Sequence, residues 1–253
     1  MGAVSANGSI TIVPSVHFSV SHCRRVRSAI RDEDPDLVAV ELGASRYEYV
    51  DRDADPVVFD LARAVAPAPA AAYAAVRALQ RTVVRLYGFD LETTDMGVAI
   101  ETAAELDANV ALVDDPIEET FSGIVGGVSL TTLPRILRRL MRSRRAERIE
   151  PSNATLLAPG EIESGEDVRP MIDRLRRLVP NVAEVLIDRR DRAMAERLHA
   201  LRLEGYDVVA VVGVAHHDGI RRRLEGLESR ADVRDVTVPI RSPSGSPERI
   251  LVD

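Results

Sequence analysis

A mostly parallel α/β sheet flanked by helices is the fold the sequence predicts, on three observations. Short, mainly apolar runs recur at Leu37–Val40, Val110–Val113 and Tyr206–Val212, the pattern of strands buried on both faces. Segments with apolar residues at helical spacing separate them. The chain also opens β-α-β-α, an alternation that favours parallel strands joined by crossover helices. Its 253 residues suffice for one such domain.

Taken in order, Ser9–Val16 is predicted as a strand around Ile10, Ile12 and Val13 after a Gly/Asn-rich start. Val20–Glu33 is a helix with Val26, Ala29 and Ile30 on one face and Arg24, Arg27 and Arg31 elsewhere, stopped by Pro35. Leu37–Val40 is the second strand, Gly43 breaks it, and a helix begins near Ser45. Pro56–Tyr87 is helical with an interruption at Pro67 and Pro69, and Thr93–Asp107 is a further helix before strand Val110–Val113. Residues 117–180 are mostly helical, with a Gly-rich break at Gly123, Gly126 and Gly127, an arginine-dense helix from Arg135 to Arg145, and a polar loop after Pro151.

Asn181–Ile187 is apolar enough for a strand, and a charged helix follows it to Gly205. Tyr206–Val212 is the most apolar strand, closed by Gly213, and His217–Leu227 is the last helix. Val236, Val238 and Ile240 alternate as in a final strand, which Pro239 places at a sheet edge. No boundary divides the chain. Residues 1–253 are expected to form a single domain with helical insertions at about 56–108 and 117–180.

Composition excludes whole classes of chemistry. The chain contains no lysine, so all 33 basic residues are arginine, against 40 acidic ones and a net charge of −7. Schiff-base enzymes and P-loop or kinase-type phosphate sites need a lysine that is not there. The single Cys23 excludes an intrachain disulfide and any zinc site built from several thiolates, and fits a reducing, cytoplasmic setting. No charged-then-apolar leader opens the chain, and no apolar run is long enough to span a membrane. The acidic balance argues against general nucleic-acid binding.

Two strand ends match each other. Ile12-Val13-Pro14-Ser15-Val16-His17 and Val211-Val212-Gly213-Val214-Ala215-His216 both run from apolar strand through a turn-former and two small residues to histidine. Leu37–Glu41 places Glu41 at a third strand end. Ligands bind at the carboxyl ends of strands in open parallel sheets. His17, Glu41 and His216 there would suit a divalent transition metal with open positions for water, and so metal-assisted hydrolysis. The bland alternative is a set of hydrogen-bonded histidines and a glutamate paired with arginine. Among the other candidates, His217 is expected to point away from His216. His22 and Cys23 belong to packing or surface, and His199 to the solvated face of a charged helix.

The chain resembles the TraB/PrgY/GumN family, relatives of the TIKI proteases and more distantly of the erythromycin esterases. The resemblance rests on Pro14-Ser15-Val16-His17-Phe18-Ser19, on Val38-Ala39-Val40-Glu41-Leu42-Gly43-Ala44-Ser45-Arg46-Tyr47, and on Met96–Glu101 followed by Val110–Asp114. Arg189-Arg190-Asp191-Arg192-Ala193-Met194 and Gly213-Val214-Ala215-His216 complete it, covering roughly residues 9–225. Three departures stand out: Pro14 replaces the first signature glycine, Gly43 follows Glu41-Leu42, and Arg189 replaces an acidic residue. Many archaeal relatives also carry C-terminal membrane helices, absent from this sequence.

That resemblance implies a metal-dependent peptidase. His17, Glu41 and His216 would be metal ligands, with Glu41 also activating water, and the ion would be Mn, Co, Fe or Zn. Arg46 and Arg190 would bind a substrate carboxylate or an oxyanion, and Asp191 would orient a histidine. A structural ion-pair network is the competing role for these last three. The expected partners are a short peptide or small-molecule substrate and further copies of the chain in a homo-oligomer. Two alternatives stand beside the peptidase: a regulatory module that binds its ligand without turnover, and a metal-free esterase with a histidine base.

Overall fold

In the computed structural model, residues 7–16, 19–44, 47, 94–115, 162, 164–178, 180–229 and 236–243 are described. The elements positioning the sheet are β1 (Ile10–Ser15), α1 (Val20–Glu33), β2 (Leu37–Val40), α2 (Asp95–Glu105) and β3 (Asn109–Leu112). After them come α3 (Gly165–Leu178), α4 (Pro180–Ala183), a π-helical turn (Glu184–Asp188), α5 (Arg189–Leu203), β4 (Val208–Gly213), α6 (Val214–Glu228) and β5 (Ile240–Arg241).

The five strands lie in the order β1-β4-β2-β3-β5. All neighbours are parallel except β5, which runs antiparallel to β3 at the edge. The mostly parallel α/β fold predicted from the apolar runs is therefore present. β2 and β4 are buried at every position, as expected of strands covered on both faces.

Helix sequence explains which face each helix covers. On one side α1 presents Cys23, Val26 and Ile30, and α2 presents Met96, Ala99, Ile100 and Ala103, to Val38, Val40, Val110, Leu112, Val209 and Val211. On the other side α5 and α6 bring Met194, Ala195, Leu198, Leu201, Ile220 and Leu224 to Ala39, Ala111, Ala210 and Val212. Side chains alternate between faces along each strand, so the two cores use alternate residues. Local signals set the ends. Thr94 caps α2 by accepting from the Gly97 N–H at 2.9 Å, and Asp34 ends α1 in the left-handed region at φ 43°.

Chain path now fixes where a ligand would sit. The β1–β2 connection crosses over β4 by way of α1, on the α1/α2 face. The route from β3 to β4 returns over β2 by way of α5, on the opposite face. A reversal of this kind opens a crevice at the carboxyl ends of the strands.

Three expectations are corrected. Asn181–Ile187 is not a strand: Pro180 begins a helix there, and the apolar residues Ala183 and Ile187 are buried four apart. A short apolar run does not distinguish strand from helix by period, and proline is well placed in the first turn of a helix. His199 is not solvated but 7% exposed, because α5 packs closely along α6, whose Glu228 stands near it. The last helix begins at Val214, so His216 lies in its first turn and not in a loop. Most of 56–108 and 117–180 lies outside the described residues, and of the former α2 packs directly on the sheet. Among the described residues no helix is long and apolar enough to cross a membrane.

Candidate active site

Four chain segments meet at the carboxyl edge of the sheet. Glu41 follows β2, Asp114 follows β3, His216 stands in the first turn of the helix that follows β4, and Arg190 and Asp191 open α5. Their carboxylates and imidazole are at most 5% exposed and Arg190 is 14% exposed. Ionised groups are kept at such burial only when paired.

Arg190 is the hub. Its Nε and Nη2 donate to Asp114 Oδ1 and Oδ2 at 2.9 and 2.8 Å, a two-pronged pair. Nη2 also donates to Glu41 Oε1. Nη1 donates to the Leu186 carbonyl at 3.3 Å and faces His216 Nε2 at 3.1 Å. Each of the guanidinium's five N–H groups thus has an acceptor. Burial by itself would lower the Arg190 pKa, but the adjoining Glu41 and Asp114 carboxylates outweigh it and hold the side chain firmly protonated.

His216 is held from behind. Its Nδ1 lies 2.6 Å from Asp191 Oδ1, and its Nε2 lies 3.3 Å from Glu41 Oε1. A carboxylate at Nδ1 favours the tautomer with the proton there, leaving the Nε2 lone pair turned toward Glu41 and Arg190. Glu41 is fixed through its other oxygen: Oε2 accepts from the Gly213 N–H at 2.6 Å, at the N-terminus of α6. The positive end of that helix suits a carboxylate.

Two glycines make room for this. A Cβ on Gly219 would fall 1.8 Å from Asp191 Oδ2, so only glycine lets Asp191 lie across α6 beside His216. A Cβ on Gly213 would come 3.0 Å from Glu41 Oε2, tight enough to push that carboxylate. Gly213-x-x-His216-x-x-Gly219 therefore forms one device, with a glycine on either side of the histidine.

The π-helical turn serves the same end. Insertion of an extra residue before Arg190 changes the register between α4 and α5. Asp188 then reaches Arg176 on α3 at 2.6 Å, while Arg190 and Asp191 enter the site.

Of the residues singled out in the sequence, Glu41, Arg190, Asp191 and His216 are brought together. His17 and Arg46 lie outside the described residues. The strands leading to the two histidines are nonetheless neighbours, with Ser15 level with Gly213. His217 turns to Asp218, with Nδ1 3.1 Å from Oδ1. Arg189 turns outward, its Nε 3.8 Å from Asp115 Oδ2. Asp114 belongs to the site although sequence reasoning gave it no role. Its signal was a carboxylate after an apolar strand, the same signal that marked Glu41.

A profile of the TraB/PrgY/gumN family matches residues 3–231. The chain belongs to that family. This TraB-type chain is also 27% identical over 227 residues to an uncharacterized protein of Methanocaldococcus jannaschii. The match covers 88% of this chain and 55% of that protein, so the chain spans about half the length of its relative.

Whether the TraB-type site suits a metal turns on its donor atoms. Glu41 Oε1 and His216 Nε2, 3.3 Å apart, are spaced like two donors on one ion with bonds of about 2.0–2.2 Å. Asp191 behind His216 is the outer carboxylate that histidine ligands commonly have. The two described donors thus have the atom type and spacing of two ligands on one divalent ion. Both atoms also face Arg190, and Nε2 has a single lone pair, so an ion could take these donors only if the guanidinium withdrew from them. Among the described residues no group of three or more His, Cys, Asp or Glu is arranged to hold a metal.

Proposed function

We propose that this chain is a TraB-family hydrolase, a metal-dependent peptidase acting on short peptides. The observation that carries the reading is the buried Asp191–His216–Glu41 series, which leaves an imidazole nitrogen and a carboxylate oxygen 3.3 Å apart at the carboxyl edge of the sheet. Family membership and the TIKI resemblance support it. His216, Glu41 and His17 would hold a divalent Mn, Co, Fe or Zn ion, which when bound lowers the pKa of water and polarises a carbonyl. Asp191 keeps His216 in the tautomer that offers Nε2. Glu41, steadied by the Gly213 N–H, accepts the proton that a nucleophilic water must lose. Arg190, with its donors already engaged, holds Glu41 and His216 in place. Arg46 is left as the arginine for a substrate carboxylate or oxyanion.

A second reading has its own observation. Arg190 Nη1 and Nη2 face the two atoms a metal would use, which disfavours an ion and leaves a metal-free esterase in which His216, oriented by Asp191, acts as general base once Nε2 is released from Arg190.

Metal content tests the two readings. Protein purified without chelator is assayed for bound Mn, Co, Fe and Zn and for hydrolysis of short peptides, beside His216→Ala and His17→Ala. The peptidase reading expects one ion per chain in the wild type, reduced in both variants, and activity abolished by chelation. Absence of bound metal after loading would sink it. Ester hydrolysis that survives chelation but not His216→Ala would select the esterase.

A further inference from the structure

Beside Asp191, a cavity of about 340 Å³ opens to solvent between α3, the π-turn and α6. Arg176, Asp188, Asp191, Gly219, Arg222 and Arg223 line it. A smaller recess shares Arg176, Asp191, Gly219 and Arg222 and adds Arg169 and Asp218. Neither Glu41 nor His216 lines either one, so this groove backs onto the site above and shares only Asp191 and Gly219 with it.

Its arginines fall into two kinds. Arg176 is closed by Asp188 at 2.6 Å and Asp173 at 3.4 Å, and Arg169 by Asp218 at 2.7 Å. Arg222 and Arg223 are different. Arg222 Nε donates to the Asp218 carbonyl and Arg223 Nη2 to the Asp188 carbonyl, both at 3.1 Å. Among the described residues neither has a carboxylate partner. Their guanidiniums are thus tethered by neutral oxygens in residues that line the groove. Asp191, the acid at its floor, is engaged by His216.

We infer that this groove binds a phosphate-bearing small ligand through Arg222 and Arg223. Two tethered guanidiniums offer more donors than the two oxygens of one carboxylate can use. A phosphate group, with three free oxygens and a charge of about −1.5 to −2, matches both. The volume of the groove accommodates a phosphate with a small attached group.

Calorimetric titration of the full chain with inorganic phosphate tests this, independently of any hydrolysis. The wild type is expected to show saturable one-site binding, weakened about tenfold or more in Arg222→Gln and lost in Arg222→Gln/Arg223→Gln. Arg177→Gln, an exposed change on α3 outside the groove, is expected to leave binding unchanged. Each variant's far-UV spectrum and melting point are compared with wild type. Should the double variant fail to fold, Arg222→Gln alone decides, because Arg222 is exposed. No phosphate binding by the wild type, or equal binding in the folded variants, would overturn the assignment. So would succinate binding as tightly as phosphate, which would make the groove a carboxylate site.

Discussion

What an imidazole can do with one nitrogen depends on what holds the other, and here Asp191 holds Nδ1 of His216 at 2.6 Å. Asp191→Asn keeps the shape but can turn an NH₂ toward Nδ1, releasing the tautomer. On the hydrolase reading, turnover or metal affinity should fall by about 10- to 100-fold with little change in melting point. Unchanged activity would remove Asp191 from the site. Gly219→Ala reaches the same bond by force, since its Cβ would overlap Asp191 Oδ2. Activity should fall at least as far, with a lower melting point as α6 is pushed off α5. Arg190 poses a question of charge. Removing it in Arg190→Met takes the paired guanidinium from buried Asp114 and one charged partner from Glu41, a loss of about 3–5 kcal/mol by chemical denaturation. Adding Asp114→Asn should recover part of that loss, because one stranded charge goes with it. A double variant no more stable than Arg190→Met would mean the pair is not the source of the effect.

At the scale of elements, legibility followed burial. β2, β3 and β4 announced themselves because strands covered on both faces must be apolar throughout, and α1 and α2 because one face alone packs. Of the two histidine-ending runs, the strands are shown to be neighbours in register, β1 beside β4, while His17 itself lies outside the described residues. The π-turn was not legible. Val182 to Ile187 carries the same apolar run whether extended, α-helical or π-helical, and only packing selects among them. Asp114 was missed because a carboxylate closing a strand has no pattern of its own until the partner arrives, here from a residue 76 positions later. The π-turn permits a direct test. Deleting the exposed Glu184 removes the extra residue and lets α4 run into α5 as one α-helix, turning α3 and α4 by about 100° relative to the site. Because Arg176 bonds Asp188 and Arg190 bonds the Leu186 carbonyl across this turn, the deletion should lower the melting point and impair hydrolysis. Wild-type behaviour in both would show that the turn does not set the site.

Across the whole molecule, two histidines outside the site tie stability to pH in one direction. Burial, reinforced by Arg25, lowers the pKa of His22, and Arg25 Nη2 donates to its Nδ1 at 3.0 Å, which requires that nitrogen to be unprotonated. Burial, reinforced by Arg202, likewise lowers His199, whose Nδ1 has no hydrogen-bond partner among the described residues. Above the ordinary value of 6.5 both imidazoles are neutral in the folded and the unfolded chain, so neither makes stability depend on pH. Below 6.5 the unfolded chain takes up protons that the folded chain resists, and stability falls until the folded pKa values are passed. Asp218 adds a later loss. Burial opposes its ionisation, but the hydrogen bonds and charges of Arg169 and His217 prevail and hold its pKa below 3.8, so its contribution is lost only in stronger acid. A melting curve followed from pH 8 to pH 3 should therefore be level at first, decline from about 6.5, and decline again below about 4. His199→Leu removes one of the two imidazoles without opening a large cavity, and should make the first decline shallower while leaving the second in place. A melting point level between pH 6.5 and 5, or a first decline equally steep in His199→Leu, would mean that these imidazoles do not set the acid limit of the fold.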